Sequence, residues 1–186
     1  MKDDEADFFD FTKPLFQDPP DGIEEDWSGF LIGGMAQTDE LSLIRSYKMA
    51  ADAVVAKALR SSDLSYELAY PALYLYRHVI ELYLKLIVQP KKPTHGIMKL
   101  ARQFKALVRS KLKLKIPDWA MESFREFADI DPDSQSFRYT KQRDGSPIWI
   151  PGECWVSFVH LRKKMDVLVQ GFEKAYFSLP GKKGRR

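Results

Sequence analysis

The stretch from Pro71 to Gln89 limits the fold more than any other. At about 100° per residue, Tyr74, Arg77, His78, Glu81 and Lys85 fall on one stripe. Leu73, Leu75, Tyr76, Val79, Ile80, Leu82, Tyr83, Leu84, Leu86 and Ile87 cover the remaining circumference. A helix this apolar must be covered from several sides, so it belongs at the centre of a bundle or in a dimer interface. The expected fold is all-α: an antiparallel bundle of about five helices, with a small β-hairpin before the last.

Neighbouring segments supply the partners. Thr38 reads as the N-cap of a helix reaching Ser62, with Asp39 and Glu40 in the first turn, where the helix dipole favours acids. The central helix begins at Leu64 or at Pro71, and Pro71 predicts a break or kink, because proline suits a first turn and not an interior. Pro90-Lys91-Lys92-Pro93 ends it. Thr94 then caps a third helix, His95 to Ser110, with Ile97, Leu100, Ala101, Phe104, Leu107 and Val108 facing inward.

The alternation from Lys111 to Ile116 suits a short strand or an extended crossing. Pro117-Asp118 opens a fourth helix through Phe127 or Asp129. Phe137 to Thr140 and Ile148 to Ile150 flank Asp144-Gly145, which is hairpin chemistry. A last helix covers Glu153 to Phe177. The organisation is thus an acidic, aromatic arm over 1–37, the bundle over 38–178 and a flexible basic tail over 179–186.

The charge is unevenly divided. Residues 1–40 hold 12 acids and 2 bases, a net of −10, whereas the rest hold 14 acids and 27 bases, a net of +13. No acid occurs from Leu82 to Pro117, a stretch that carries ten lysines and arginines. Such a surface suits a polyanion. The arm is acidic yet contains Phe8, Phe9, Phe11, Phe16, Trp27, Phe30 and Leu31, so it reads as a segment that docks on its own body or on a protein partner. The acidic start lacks the basic and apolar regions of a secretory signal. The longest apolar run, Val79 to Val88, is interrupted by Glu81 and Lys85 and is too short to span a bilayer. The lone Cys154 cannot form an internal disulfide, which favours a reducing compartment. The expectation is a cytoplasmic protein without a membrane span.

Three stretches resemble the HEPN family (higher eukaryotes and prokaryotes nucleotide-binding). Tyr76-Arg77-His78-Val79-Ile80-Glu81-Leu82-Tyr83-Leu84-Lys85 is similar to its A-x-E-L-x-L-K helix. Thr94-His95-Gly96-Ile97-Met98-Lys99-Leu100 is similar to its H-D-L-x-x-L helix start, with Gly96 in place of the aspartate. Phe137-Arg138-Tyr139 is similar to the R-Y that precedes its closing helix. The resemblance spans roughly residues 65–178. It implies an antiparallel helical bundle, homodimerisation, and a bacterial setting of RNA cleavage, toxin–antitoxin pairs and phage defence. Ribonuclease members carry Arg-x(4–6)-His. His78, His95 and His160 have no arginine at that distance upstream, so the nuclease motif transfers to no position.

The candidate residues each have two readings. Arg77, His78 and Glu81, with Arg138 and Tyr139 on a loop that could close over them, could bind phosphate or move protons. Equally, Arg77, Glu81 and Lys85 could be an ion-pair ladder, with His78 filling a half-polar gap and Tyr139 packing. Lys99, Arg102, Lys105 and Arg109 could hold nucleic-acid phosphates or simply be a solvated helix face. Cys154, beside Trp155 at an expected helix start, could be activated but is more simply inert. Histidine and cysteine spacing suits no metal, and no cofactor is called for. The functional expectation is a nucleic-acid or nucleotide-binding module, non-enzymatic or catalytically divergent. The alternatives are a divergent, metal-independent ribonuclease and a protein-interaction scaffold.

Overall fold

A computed structural model describes Phe16 and residues 32–60, 65–142, 144–148, 150 and 152–180. The chain divides into two compact units, Met1–Thr38 and Asp39–Arg186. Of the first, little more than a 3-10 turn at Gly34–Ala36 falls within the described residues. The expected docking of the arm's aromatics lies outside them, Phe16 excepted, and so does the basic tail beyond Pro180.

Among the described residues, the second unit holds five α-helices and no strand. They are α1 (Glu40–Arg60), α2 (Ser65–Val88), α3 (Ile97–Leu107), α4 (Asp118–Ile130) and α5 (Phe158–Ser178). The first helix is capped by Asp39, one residue later than expected. Its Oδ1 accepts the Ser42 amide at 3.0 Å and its Oδ2 the Ser42 hydroxyl at 2.6 Å. These hydrogen bonds hold the Asp39 carboxyl below its ordinary range. α2 runs through Pro71 without the expected break. Proline removes one hydrogen bond, to the Glu67 carbonyl, and both residues are exposed, so water can take that carbonyl. α2 ends where Gln89 turns left-handed (φ 49°) ahead of Pro90.

α2 packs against α1, α3 and α5, which is how a helix with so narrow a polar stripe is covered inside one chain. The dimer interface considered above is therefore not needed to cover it. Tyr76 meets Asp52 and His78 meets Tyr47, so numbering rises on α2 as it falls on α1, and the two run antiparallel. α5 also opposes α1: Lys48 Nζ lies 2.5 Å from Asp166 and Arg45 Nε 2.7 Å from Glu173. The aromatic centre is Phe172, which stacks on Tyr83 at 5.2 Å and on Phe124 at 5.8 Å and leans on Phe104 at 5.4 Å. One ring thus ties α5 to α2, α3 and α4.

Several local expectations need correction. α3 is capped by Gly96, and Thr94 instead accepts the Gly96 amide at 3.3 Å. α3 also continues into a π-turn, Val108–Leu112, closed by Lys113 at φ 56°, so no strand forms over 111–116. Among the described residues the hairpin reduces to a turn and one bridge. Gly145 (φ 86°) and the Asp144 carboxylate, which takes the Ser146 amide at 2.9 Å, build it where expected. Past it, a single antiparallel bridge joins Lys141 to Pro147. The bridge is flanked by two hydrogen bonds, from the Gln142 amide to the Ser146 carbonyl at 2.7 Å and from the Ile148 amide to the Thr140 carbonyl at 3.0 Å. Finally, α5 starts at Phe158, behind a Ser157 cap, so Cys154 precedes the helix and loses the dipole argument for activation.

Candidate functional site

The polar stripe of α2 resolves into two sites. On one side Arg77, Glu81 and Asp131 are wholly buried, at 0%, 1% and 0% exposure. The 4-residue spacing puts Arg77 Nη1 2.8 Å from Glu81 Oε2, and Lys85 Nζ 2.6 Å from Glu81 Oε1. Tertiary contacts complete the set. Arg77 Nε donates to the Asp131 carbonyl at 3.0 Å and Nη2 to the His95 carbonyl at 3.1 Å. Asp131 Oδ2 is also 3.0 Å from Arg77 Nε but accepts no aligned hydrogen bond, so that contact is an ion pair alone. His95 Nδ1 sits 2.9 Å from Glu81 Oε1, an acceptor, which requires the proton on Nδ1.

Burial raises the Glu81 carboxyl. Hydrogen bonds from Lys85, Arg77 and His95, with the Lys85 charge, outweigh it and leave Glu81 below its ordinary range. The cluster is a structural clamp that joins α2 to the 94–96 loop and to the end of α4. Arg77 and Glu81 have their charges committed and face no solvent. Asp131 and His95 were not among the candidates. They lie 54 and 18 residues from Arg77, and no local pattern signals the pairing.

The clamp positions a loop. Asp131 Oδ1 accepts the amides of Gln135 and Ser136 at 2.7 and 2.9 Å, which winds the chain after α4 into a turn. Ser134 lies within it in the left-handed region (φ 61°), and its carbonyl accepts from Arg138 Nε at 2.7 Å and from Arg138 Nη2. Phe137 is buried with its edge on Tyr70. Arg138 is thereby laid over Tyr74, its guanidinium carbon 5.3 Å from that ring and 5.0 Å from the Tyr139 ring. His78, on the same side of α2, stacks on Tyr74 at 5.8 Å and meets Tyr47 edge-on at 4.7 Å. Burial lowers the affinity of His78 for a proton, and the Lys85, Arg77 and Arg138 charges add to this against Glu81, so the ring is neutral near pH 7. His78 and Arg138 thus share Tyr74 as a neighbour, while Arg77 and Glu81 are held in the clamp.

The basic helix face is exposed throughout: Lys99, Arg102, Lys105 and Arg109 all reach solvent. They do not share one surface. Arg102, Lys105, Arg109 and Lys113 line an open groove of about 620 Å³ with Ala106 and Ser110. Lys99 lines a second, of about 540 Å³, with Lys91 and Lys92 over a floor that includes Val88, Pro90 and Leu107. The π-turn extends α3 so that Arg109, Ser110 and Lys113 follow Lys105 around the first groove. Among the described residues, none of these seven cations has a carboxylate within ion-pair distance. Nor does any group of three or more histidine, cysteine or carboxylate side chains there suit a metal. No helix of the described residues is long and apolar enough to cross a membrane.

Comparison with family models, with curated proteins and with solved structures gives no match.

Proposed function

We propose that this chain is a HEPN-like module that binds nucleic acid through phosphate contacts on α3, without catalysis of its own, in a regulatory or defence setting. One observation carries the reading: seven exposed cations in two grooves, none with a described carboxylate within ion-pair distance. A solvated helix face normally mixes signs and pairs them, as Arg125 with Glu122 does at 2.7 Å on α4. Unbalanced cations along a groove attract a phosphate backbone and release its counterions on binding. Phosphate contacts carry no sequence information, so binding is weakly sequence-dependent. Affinity measured against salt concentration, with and without Lys99, Arg102, Lys105 and Arg109, tests the reading.

A non-catalytic role is favoured because Arg77 and Glu81 are consumed by the clamp. The alternative is a divergent, metal-independent ribonuclease, and it has one observation of its own: His78 and the Arg138 guanidinium both lie against Tyr74, an acid–base group and a cation on one ring. Metal-independent RNA cleavage that disappears in His78→Ala would establish it. The homodimer that the resemblance implies is tested by light scattering at micromolar concentration. The scaffold reading rests on the aromatic arm and predicts a protein partner lost on removal of residues 1–36.

A further inference from the structure

Away from the α3 grooves, a second set of polar groups lies at the surface with its hydrogen-bonding capacity largely unused. Five planar side chains from the segment after α4, from α2 and from α1 are linked by successive pairwise contacts: Tyr139, Arg138, Tyr74, His78 and Tyr47. The Arg138 guanidinium lies over two tyrosine rings, Tyr74 and Tyr139, and Tyr139 is 54% exposed. Packing accounts for Phe137, which is buried, but not for the two exposed residues that follow it. Among the described residues, no carboxylate pairs with Arg138. Nor do the hydroxyls of Tyr47, Tyr74 and Tyr139 or the ring nitrogens of His78 make a hydrogen bond there. The Arg138 guanidinium is held by the Ser134 carbonyl through only two of its five N–H groups.

We infer that the Tyr139–Arg138–Tyr74–His78–Tyr47 cluster is a stacking site for an unpaired nucleobase. The inference rests on the nucleic-acid reading above and deepens it, since it names the substrate as a strand with unstacked bases. Aromatic rings and guanidinium planes are the groups on which unpaired bases stack. Arg138 adds attraction to the backbone that carries the base. The unsatisfied hydroxyls and a neutral imidazole supply donors and acceptors for a base edge. The Asp131 turn and the Ser134 carbonyl hold Arg138 in place before any ligand arrives, so little ordering is required on binding. A protein segment could also lie on an exposed tyrosine, but its binding would not depend on bases.

The test uses the full chain and fluorescence anisotropy with two labelled probes. One is an oligodeoxythymidylate. The other is a strand of equal length built from abasic tetrahydrofuran sites, with the same phosphates and no bases. Wild-type protein should prefer the first. Tyr139→Leu should weaken that complex by about 5- to 150-fold while leaving the abasic affinity and the salt slope unchanged. Tyr139→Phe, which keeps the ring, should bind as wild type. Tyr139 is exposed, so these variants should fold, and far-UV circular dichroism checks that they do.

Equal wild-type affinity for the two probes would overturn the inference, as would equal behaviour of the Leu and Phe variants. The quadruple alanine variant of Lys99, Arg102, Lys105 and Arg109 separates this from the phosphate reading. A slope lost in that variant with no dependence on Tyr139 leaves the phosphate reading standing alone. A base-dependent loss in Tyr139→Leu with an unchanged quadruple slope leaves the stacking site standing alone. Failure of wild-type protein to bind either probe overturns both.

Discussion

Replacing Arg77 with methionine probes the clamp most sharply. The side chain is fully buried and is roughly matched in length by methionine, so the change removes charge and donors with little change of packing. Three hydrogen bonds disappear, to Glu81, to the Asp131 carbonyl and to the His95 carbonyl, together with the ion pair to Asp131. Breaking a buried pair from one side costs about 3–5 kcal/mol, because the remaining charge is left uncompensated. Here the remaining charges keep some partners. Glu81 retains Lys85 and His95, and Asp131 retains two backbone amides. The loss should therefore fall near the lower end, about 3 kcal/mol. In thermal unfolding that is a drop of roughly 6–12 °C at about 2–4 °C per kcal/mol.

Urea unfolding followed by circular dichroism gives the free energy directly. Glu81→Gln combined with Arg77→Met should cost less than the two changes separately, because the double change leaves fewer unpaired charges. An Arg77→Met variant within about 1 kcal/mol of wild type would refute the clamp as a main tie between α2, the 94–96 loop and the end of α4.

Three further outcomes follow from the same contacts. Phe172→Ala removes the ring shared by Tyr83, Phe104 and Phe124 and should destabilise the bundle by about 3–5 kcal/mol in the same urea assay. Glu81 has a folded pKa below its ordinary 4.5, so its contribution is fully present above about pH 4.5 and is lost as pH falls through the folded value; Glu81→Gln should flatten that part of the stability profile. Removal of residues 1–36 takes away most of the acidic end of the chain and should raise affinity for polyanions, which heparin retention compared with full-length protein would show.

How far the sequence reveals this depends on the range of each interaction. The Arg77–Glu81–Lys85 ladder and the two faces of α3 are local periodicities, so both are legible from residue spacing alone. The start of α4 is legible too, because Pro117-Asp118 is a strong local signal. Asp131 looks like an ordinary turn residue, and only the fold makes it the counter-charge of a buried arginine. The passage of α2 through Pro71 depends on solvent reaching the Glu67 carbonyl, which spacing does not reveal. The π-turn, which touches α5, and the left-handed Lys113 that closes it leave no mark in the spacing, and the cations that the helical angles present as one face line two grooves. The hairpin signal is half right: Asp144-Gly145 makes the turn, and among the described residues the pairing goes no further than the Lys141–Pro147 bridge.

The most direct test of the central claim is the salt dependence of binding to a single-stranded oligonucleotide, for wild type and for the quadruple alanine variant of Lys99, Arg102, Lys105 and Arg109. Each phosphate neutralised contributes about 0.7 to the slope of log affinity against log salt on a single strand. Loss of four such contacts should flatten the slope by about 3 units, with helicity intact because alanine is the better helix former. A wild-type protein that binds with the predicted steep slope, and a variant that loses it, is the expected result. A slope and affinity unchanged by all four substitutions would contradict the account and leave α3 as a solvated face.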